Sequence, residues 1–307
     1  MSIVKFSEVA HRAYTREDRF NTEKIYYVGG EHIDSCELYV TKKGVIKGST
    51  IGPMFYCGFT AGQILFVTRN PHLKKCSIAD FDGICSEKTF VIETKDESIL
   101  TQEYLAIIMQ SDDFWNYCEE NKSGGVNYFL NWSTLADYEF ELPPIKQQLE
   151  IAQKVMSAYR LKQSYKKLLD ATREMVKSQF IEMFAFQDLS LTNPSDDFAK
   201  KCYDDTSSAT KVPAGNYQNN GRYAIYDQSQ DCDIAGYTDS IEGVCNNYPA
   251  VLFGDHSRVI KYINQPFYIG ADGVKIIRPK GDDLLPEFLY YDLLYHNIPN
   301  TGYNRHF

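Results

Sequence analysis

The sequence lacks the usual signals of a metal site, a membrane segment or a secreted protein. Its eight cysteines (36, 57, 76, 85, 118, 202, 232 and 245) include no pair at C-x-x-C spacing. Apolar runs such as ILFV at 64–67 are far too short to cross a bilayer, and the N-terminal MSIVKFSEVAHR has no long apolar segment of a signal peptide. These absences predict a cytoplasmic protein with reduced cysteines, no bound metal and no membrane contact.

Motifs of catalysis are also missing. No serine lies in a G-x-S-x-G elbow, no two histidines are spaced i, i+4, and no Gly-rich strand-to-helix loop could hold a nucleotide. The Pro-Pro of ELPPIKQQ is similar to a motif of amino-methyltransferases, but Leu142 and Ile145 replace its polar and aromatic residues. The sequence therefore predicts no catalytic residues of its own, and favours a binding protein over an enzyme.

One enzymatic alternative stays open in FDGICSEKTFVIETK (81–95). Asp82, Glu93 and Lys95 follow the D…E-x-K order of metal-dependent nucleases, in which two carboxylates bind Mg²⁺ and a lysine assists the attacking water. An Asp-Gly turn between two strands explains Asp82 without any chemistry. The pattern is short, and we keep it as an alternative.

Charge is unevenly distributed along the chain. The net charge is −9, which by itself argues against a surface that grips DNA through phosphates alone. Residues 145–184, however, carry eight Lys/Arg against four Asp/Glu, whereas 1–144 carry 14 against 21. One basic middle segment thus lies between two acidic ones.

The basic segment, 145–184, is predicted to be one long helix. It contains no Gly and no Pro, is rich in good helix formers, and follows the tandem prolines at 143 and 144. A helix this long with one apolar stripe predicts a coiled coil with a second helix. The stripe, interrupted by Lys162, Thr172 and Gln179, consists of Ile151, Val155, Ala158, Tyr165, Leu169, Val176 and Met183.

An internal repeat surrounds this helix. Four sequence elements occur twice in the same order. The first copy consists of GQILFVTR (62–69), the D-G turn and strand at 79–93, the helix at 102–115 and GGVNYFLNW (124–132). The second copy consists of PAVLFGDH (249–256), GADGVKIIRP, PEFLYYDLLY and TGYNRHF (301–307). The period is about 180–190 residues. The predicted fold class is therefore α+β, with two repeated mixed domains joined by a long coiled-coil helix.

Polar loops of both copies suit the recognition of bases and phosphates. Asn and Gln can read adenine bidentately, and Arg and Lys can read guanine or bind phosphate. The predicted DNA-binding residues are Lys42, Lys43, Lys47, Arg69, Asn70, Lys74, Lys122, Asn127, Asn216, Gln218, Asn219, Arg222, Arg258, Asn304 and Arg305.

With these features together, the chain resembles the specificity subunit of Type I restriction-modification systems. The strand–Pro-Pro–Ile–x–Gln-Gln–helix junction in ADYEFELPPIKQQ is the most specific part of the resemblance, which covers nearly the whole chain. It implies a target-recognition domain at 1–144, a spacer helix at 145–184 and a second recognition domain at 185–307, each domain reading half of a split double-stranded DNA site. The family's specificity subunit is non-catalytic and has no cofactor.

The resemblance also implies partners. Adenine methyltransferase subunits would dock on the spacer helix and carry S-adenosylmethionine, and a motor-nuclease subunit would use ATP. TGYNRHF aligns with GGVNYFL, after which the first copy continues into a strand and a helix. We therefore expect a second recognition domain that is incomplete at its C-terminus, and pairing of the helix with a second copy or another specificity chain. A helical scaffold that binds methyltransferase without reading DNA remains the third alternative.

Overall fold

The computed structural model of the chain describes residues 2–184, 194–270 and 273–295. It contains two compact units, Met1–Lys167 and Leu168–Phe307, whose division falls within one long helix. The mixed α/β fold expected from the sequence is confirmed. None of the described helices combines the length and the apolar content that a membrane span needs.

Unit 1 contains eleven strands among its described residues. They are β1 (Ser2–Lys5), β2 (Ala10–Arg12), β3 (Thr15–Arg16), β4 (Tyr26–Val28), β5 (Gly44–Val45), β6 (Phe55–Phe59), β7 (Ile64–Val67), β8 (Cys76–Ile78), β9 (Gly83–Ser86), β10 (Thr89–Thr94) and β11 (Glu139–Leu142). Its helices are α1 (Phe6–Val9), α2 (Gln102–Ile108), α3 (Asp112–Glu120), α4 (Trp132–Ala136) and the first part of α5 (Ile145–Phe184), with a 3₁₀ turn at Pro71–Leu73.

Two sheets form the framework of unit 1. One is antiparallel with the order β2-β10-β7-β8, and the other has the order β3-β6-β9-β4-β5, with β4 parallel to β9. Phe66 and Phe90 pair across β7 and β10 and pack on α3 through Trp115. The opposite face, with Leu65 and Val91, is buried in a separate core that includes residues of β6 and β9. Burial on both faces explains why these two strands are almost continuously apolar.

Local sequence fixes where the short helices begin. The Thr101 hydroxyl accepts a hydrogen bond from the backbone N–H of Tyr104 (3.3 Å), and the Ser111 hydroxyl accepts one from Phe114 (3.2 Å). Each hydroxyl satisfies one of the free N–H groups at the start of α2 or α3.

Unit 2 contains eight strands and two further helices among its described residues. They are α6 (Pro194–Lys201), β12 (Cys202–Asp204), β13 (Lys211–Val212), β14 (Tyr223–Tyr226), β15 (Gly236–Thr238), β16 (Ala250–Gly254), β17 (Ile260–Ile263), β18 (Phe267–Gly270), β19 (Val274–Pro279) and α7 (Pro286–Tyr295). Two 3₁₀ turns lie at Thr206–Ser208 and Ala214–Asn216.

The strand order of unit 2 corresponds to that of unit 1 in the antiparallel sheet and in part of the second sheet. Its antiparallel sheet runs β12-β19-β16-β17, as β2-β10-β7-β8 does in unit 1. Its second sheet runs β13-β18-β14-β15, and β14 is parallel to β18 as β4 is to β9. Helix α7 packs on β16, β17 and β19, the counterpart of α2 on β10. The repeated sequence elements thus occupy equivalent positions in two similar sheets.

Helix α5 has the bounds predicted for it, Ile145–Phe184, and spans 40 residues. At a rise of about 1.5 Å per residue it is about 60 Å long. The described residues contain one helix of this length, and no second helix pairs with it as a coiled coil within them.

Candidate nucleic-acid interface

Two predicted DNA-binding loops of unit 1 form one edge. The Asn70 N–H donates to the carbonyl of Tyr128 (2.9 Å), and the Leu130 N–H donates to the carbonyl of Thr68 (3.0 Å). This pairing brings Arg69 and Asn70 beside the segment that carries Asn127, although the loops are almost sixty positions apart in sequence. We call residues 68–75 and 121–130 the loop edge.

The shape of the loop edge depends on unusual backbone conformations. Gly124 has φ +98°, and a Cβ there would lie 2.8 Å from the Asn127 carbonyl oxygen. Only glycine fits both the conformation and the space, so the Gly-Gly of this loop turns the chain sharply and leaves Asn127 exposed. Asn70 and Lys74 also adopt left-handed conformations, with φ 52° and 48°. Left-handed Asn is tolerated more readily than left-handed Lys.

Several of the predicted lysines are already engaged in ion pairs. Lys122 lies 2.6 Å from a Glu119 carboxylate oxygen, Lys74 lies 3.3 Å from Asp112, and Lys42 lies 2.7 Å from Asp34. The hydrogen bond from Lys42 lowers the pKa of Asp34, so this carboxylate stays charged at neutral pH. The three ammonium groups are therefore partly neutralised before any ligand arrives.

The other cations of these loops are arranged differently. Lys43 lies over the rings of Tyr26 and Phe81, 4.0 and 4.1 Å from their centres. Lys47 is exposed to solvent. Arg69 lies over the ring of Phe129, 5.1 Å from its centre. A cation held on a ring keeps its charge available to an anion.

In unit 2 the predicted residues are spread over several turns. Gln218 pairs through its backbone with Tyr237, while the backbone N–H of Arg222 donates to Asp239 (3.0 Å). The Arg222 guanidinium lies 5.4 Å from the Tyr223 ring centre, and Arg258 lies 5.6 Å from that of Phe253. Asn216 ends a 3₁₀ turn and Asn219 is exposed. Asn304 and Arg305 lie outside the described residues.

The Arg258 loop is the counterpart of the Arg69 loop. Arg69 follows β7 in the connection to β8, and Arg258 follows β16 in the connection to β17. Both loops hold a non-glycine residue in the left-handed region, Asn70 at φ 52° and Arg258 at φ 59°. Each unit thus places one arginine, backed by a phenylalanine, at the same corner of its antiparallel sheet.

A buried glutamine fixes the start of α5. The Gln148 side chain is fully buried, and its amide nitrogen donates to the carbonyls of Ile99 and Pro143, both at 2.8 Å. Its amide oxygen accepts a hydrogen bond from the Thr101 N–H (3.1 Å). The side chain thus satisfies three backbone groups at once. The second glutamine of PPIKQQ is therefore the residue that joins helix to domain.

Glu37 forms a second junction, that is, a second set of hydrogen bonds that joins α5 to the rest of unit 1. The Glu37 carboxylate accepts hydrogen bonds from Tyr159 (2.9 Å), Lys162 (2.9 Å) and Gln163 (3.2 Å). Burial alone would raise the pKa of Glu37, but the bonds from Lys162 and Tyr159 outweigh it and hold the pKa below its usual value. Burial, and then the bond to Glu37, raises the pKa of Tyr159 to about 12. Sequence patterns gave no signal for Glu37.

The face of α5 that packs on unit 1 differs from the predicted apolar stripe. Gln148, Ala152 and Met156 are buried. Of the predicted stripe, Ile151 and Val176 are half-buried, and Ala158 is exposed. The exposed fractions are 36% for Val155, 63% for Tyr165, 51% for Leu169 and 66% for Met183. Most of the stripe therefore faces away from the residues that bury the helix start.

The end of α5 packs within unit 2 against α7. The Phe180 ring lies 5.4 Å from Phe288 and 5.5 Å from Tyr295, and Phe184 lies 4.9 Å from Phe288. Aromatic pairs at these separations are typical of packed protein interiors. These contacts cover the end of α5 with α7. The sequence had predicted that a second helix or a partner chain would cover α5.

The three nuclease candidates each have a structural contact. Asp82 accepts a hydrogen bond from the Ala61 N–H (2.9 Å), and Glu93 accepts one from Gln63 (3.1 Å). Lys95 donates to the carbonyl of Ser7 (2.6 Å). Within residues 2–184, 194–270 and 273–295, no cluster of three or more His, Cys, Asp or Glu side chains could hold a metal ion.

These observations describe a modular α/β protein, with polar loops at the corners of repeated sheets and one long helix. Comparison with known proteins points to one class. A 97-residue segment is 30% identical to the Type I restriction enzyme EcoDI specificity subunit of Escherichia coli, covering 32% of this chain and 21% of that relative. The match therefore spans about a fifth of the relative's length. No family model matches the chain.

One solved structure, with a TM-score above 0.5, agrees at the level of the fold. The Type I specificity subunit from M. genitalium matches with a TM-score of 0.53 and 14% identity, over 96% of this chain and 76% of that one. The HsdS subunit from Thermoanaerobacter tengcongensis matches with a TM-score of 0.45 and 21% identity, over 96% and 78%. The resemblance to Type I specificity subunits that the sequence suggested is confirmed.

Proposed function

We propose that this chain is the DNA-reading specificity subunit of a Type I restriction-modification complex. The chain would recognise a split double-stranded site and direct adenine methylation and restriction by its partner subunits. The observation that carries the proposal is the recurrence of one strand order in two units, in a chain with a segment 30% identical to a specificity subunit.

In this proposal residues 1–144 and 185–307 are two target-recognition domains, and 145–184 is the spacer. The loops that carry Arg69 and Arg258 occupy corresponding corners of the two antiparallel sheets, and each loop carries a guanidinium packed on a ring. This correspondence supports two equivalent DNA-binding surfaces, one in each domain. Arginine at such a corner can bind guanine edges or phosphates bidentately. The remaining predicted loop residues would supply further contacts.

The chain would have no catalytic activity or cofactor of its own. Methyltransferase subunits would carry S-adenosylmethionine, the motor-nuclease subunit would use ATP, and the assembly would act in the cytoplasm. The exposed side chains of the apolar stripe, such as Tyr165 and Leu169, offer α5 as the docking face for a methyltransferase subunit, a second copy of the chain or another specificity chain.

The test is co-expression of the chain with methyltransferase subunits, followed by mapping of methylated adenines in the host genome. The expected result is a single split sequence with a constant gap. The control is the same methyltransferase without this chain. If a stable complex forms but the methylation pattern does not differ from the control, the chain is a scaffold and the proposal is wrong.

The alternative function, a Mg²⁺-dependent nuclease, has weaker support, because Asp82, Glu93 and Lys95 each take part in a hydrogen bond within the fold. Its test is separate. The purified chain should not cleave DNA in the presence of Mg²⁺, whereas cleavage that disappears in Asp82→Ala and Glu93→Ala would establish the nuclease.

A further inference from the structure

All four arginines that precede residue 145 lie over aromatic rings. The guanidinium carbon lies 4.5 Å from the ring centre of Phe90 for Arg12, 4.9 Å from Tyr56 for Arg16, 4.2 Å from Phe20 for Arg19 and 5.1 Å from Phe129 for Arg69. Arg12 also lies 5.2 Å from the ring centre of Tyr14. A ring face attracts and orients a guanidinium without neutralising its charge.

These arginines differ in their partners from four lysines of the same segment. Lys42, Lys74, Lys88 and Lys122 each lie within 4.0 Å of a carboxylate oxygen. In the part of the chain that the structure describes, no carboxylate oxygen lies that close to any of the four guanidinium groups. These four arginines therefore keep the charge that an incoming anion can use.

Arg12 and Arg16 are four positions apart in the chain, on two consecutive strands of different sheets. Arg12 ends β2 and Arg16 ends β3, and both side chains are exposed. Arg16 pairs in register with Cys57, beside the Tyr56 whose ring it covers. Both charges also act on the Cys57 thiol, whose pKa is lowered mainly by its hydrogen bond with Cys85 and further by these arginines.

Hydrogen bonds within the fold link Tyr56 to the loop edge. The hydroxyl of Tyr56 donates a hydrogen bond to Glu87 (3.2 Å). The next residue, Lys88, accepts a hydrogen bond at its carbonyl from the N–H of Thr68 (2.9 Å), and Thr68 precedes Arg69. A path of direct contacts thus joins Arg16 to the loop that carries the predicted DNA-binding Arg69.

We infer that Arg12 and Arg16 bind phosphates of double-stranded DNA beside the site that Arg69 contacts. A guanidinium fork binds a phosphate bidentately, and one already oriented by a ring loses less freedom on binding. Such contacts position the protein and carry no sequence information. The inference rests on the proposed function, and it assigns to residues 11–20 a role that their sequence did not indicate.

The test compares two double variants in the complex with methyltransferase subunits. Arg12→Gln with Arg16→Gln removes two guanidinium charges that have no carboxylate partner among the described residues, and Lys5→Gln with Lys95→Gln removes two exposed lysine charges of unit 1 away from α5. DNA affinity is measured on specific and random duplexes at several salt concentrations. The arginine pair should lower affinity equally on both duplexes and reduce the slope of log K against log salt by about 1.8, at about 0.9 per phosphate contact.

Three outcomes decide the matter. A slope equal to that of the lysine control would overturn the inference while leaving the proposed function intact. No measurable DNA affinity in the wild-type complex would overturn both. Because Gln substitution could disturb the Phe90 and Tyr56 packing, Arg12→Lys with Arg16→Lys provides a second variant. It keeps the charge, so the slope should recover to within about 0.5 of wild type, and failure to recover would also count against phosphate binding.

Discussion

Glu37 and Lys162 are 125 positions apart in the chain, and the Lys162 ammonium nitrogen lies 2.9 Å from a Glu37 carboxylate oxygen. Glu37 is 16% exposed and Lys162 is 57% exposed, so the carboxylate is the protected member of the pair. Tyr159 and Gln163 bind the same carboxylate. One acidic residue thus holds three positions of α5.

Replacement of Glu37 should destabilise the attachment of α5 at neutral pH. Glu37→Gln keeps the shape but weakens the charged bonds to Lys162 and Tyr159, and we expect a loss of about 1–2 kcal/mol in the free energy of unfolding. The measurement is urea unfolding at pH 7. Glu150→Gln, an exposed acid of the same helix, is the matched control and should change stability little.

The same pair should show a defined pH dependence. The folded-state pKa of Glu37 is lowered, so its stabilising contribution is present above its unfolded pKa near 4.5 and is lost as pH falls through the lower folded value. The stability difference between wild type and Glu37→Gln should therefore shrink below pH 4.5. A difference that stays constant from pH 7 to pH 3 would mean that the carboxylate charge does not hold the helix.

Gln148 should be among the most sensitive positions of α5. Gln148→Ala leaves the Ile99 and Pro143 carbonyls and the Thr101 N–H without this partner and opens a space at a fully buried position, and we expect a loss of about 2–4 kcal/mol. Gln147→Ala, the exposed neighbour, should cost less than about 0.5 kcal/mol. The measurement is urea unfolding of both variants. Similar losses at the two positions would contradict the assigned role of Gln148.

The exposed apolar stripe should cause association. Tyr165 and Leu169 are more than half exposed, and burying a large apolar side chain stabilises by roughly 1.5–3 kcal/mol. We expect the purified chain to self-associate at micromolar concentration, and Leu169→Glu to reduce this. Ala171→Glu adds the same charge about 200° around the helix and is the control. Sedimentation velocity measures the result. A monomeric wild-type chain would show that α5 does not pair in this way.

Arg69 should affect recognition at one position of the proposed site. Arg69→Ala should weaken methylation of the cognate site by about 1–3 kcal/mol and relax one base position, if Arg69 contacts a base. Phe129→Leu removes the ring beneath the guanidinium while keeping the arginine, and should have a smaller effect in the same direction. Sequencing of methylated adenines checks both. Unchanged methylation in Arg69→Ala would remove this residue from the interface.

The sequence predicted some parts of this structure well, for physical reasons that apply locally. The bounds of α5 followed from forty residues without Gly or Pro, and the repeat followed from apolar strands whose order recurs. The packed face of α5 was not predictable, because its central contact is Gln148, which any hydrophobic pattern counts as polar. The pairing of Lys42, Lys74 and Lys122 with carboxylates also arises from contacts that spacing does not reveal.

The two junctions of α5 determine where this chain could be recombined with a relative. Gln148, Met156 and Gln163 all contact the body of unit 1, so a crossover placed at residue 144 would separate the helix from Ile99, Tyr39 and Glu37. A chimera joined there would inherit mismatched hydrogen-bond partners. A crossover after Gln163 takes α5 up to that residue and the rest of unit 1 from the same parent protein, so the contacts at Gln148 and at Glu37 are both kept. The segment that can be exchanged as one piece therefore extends almost halfway along the helix.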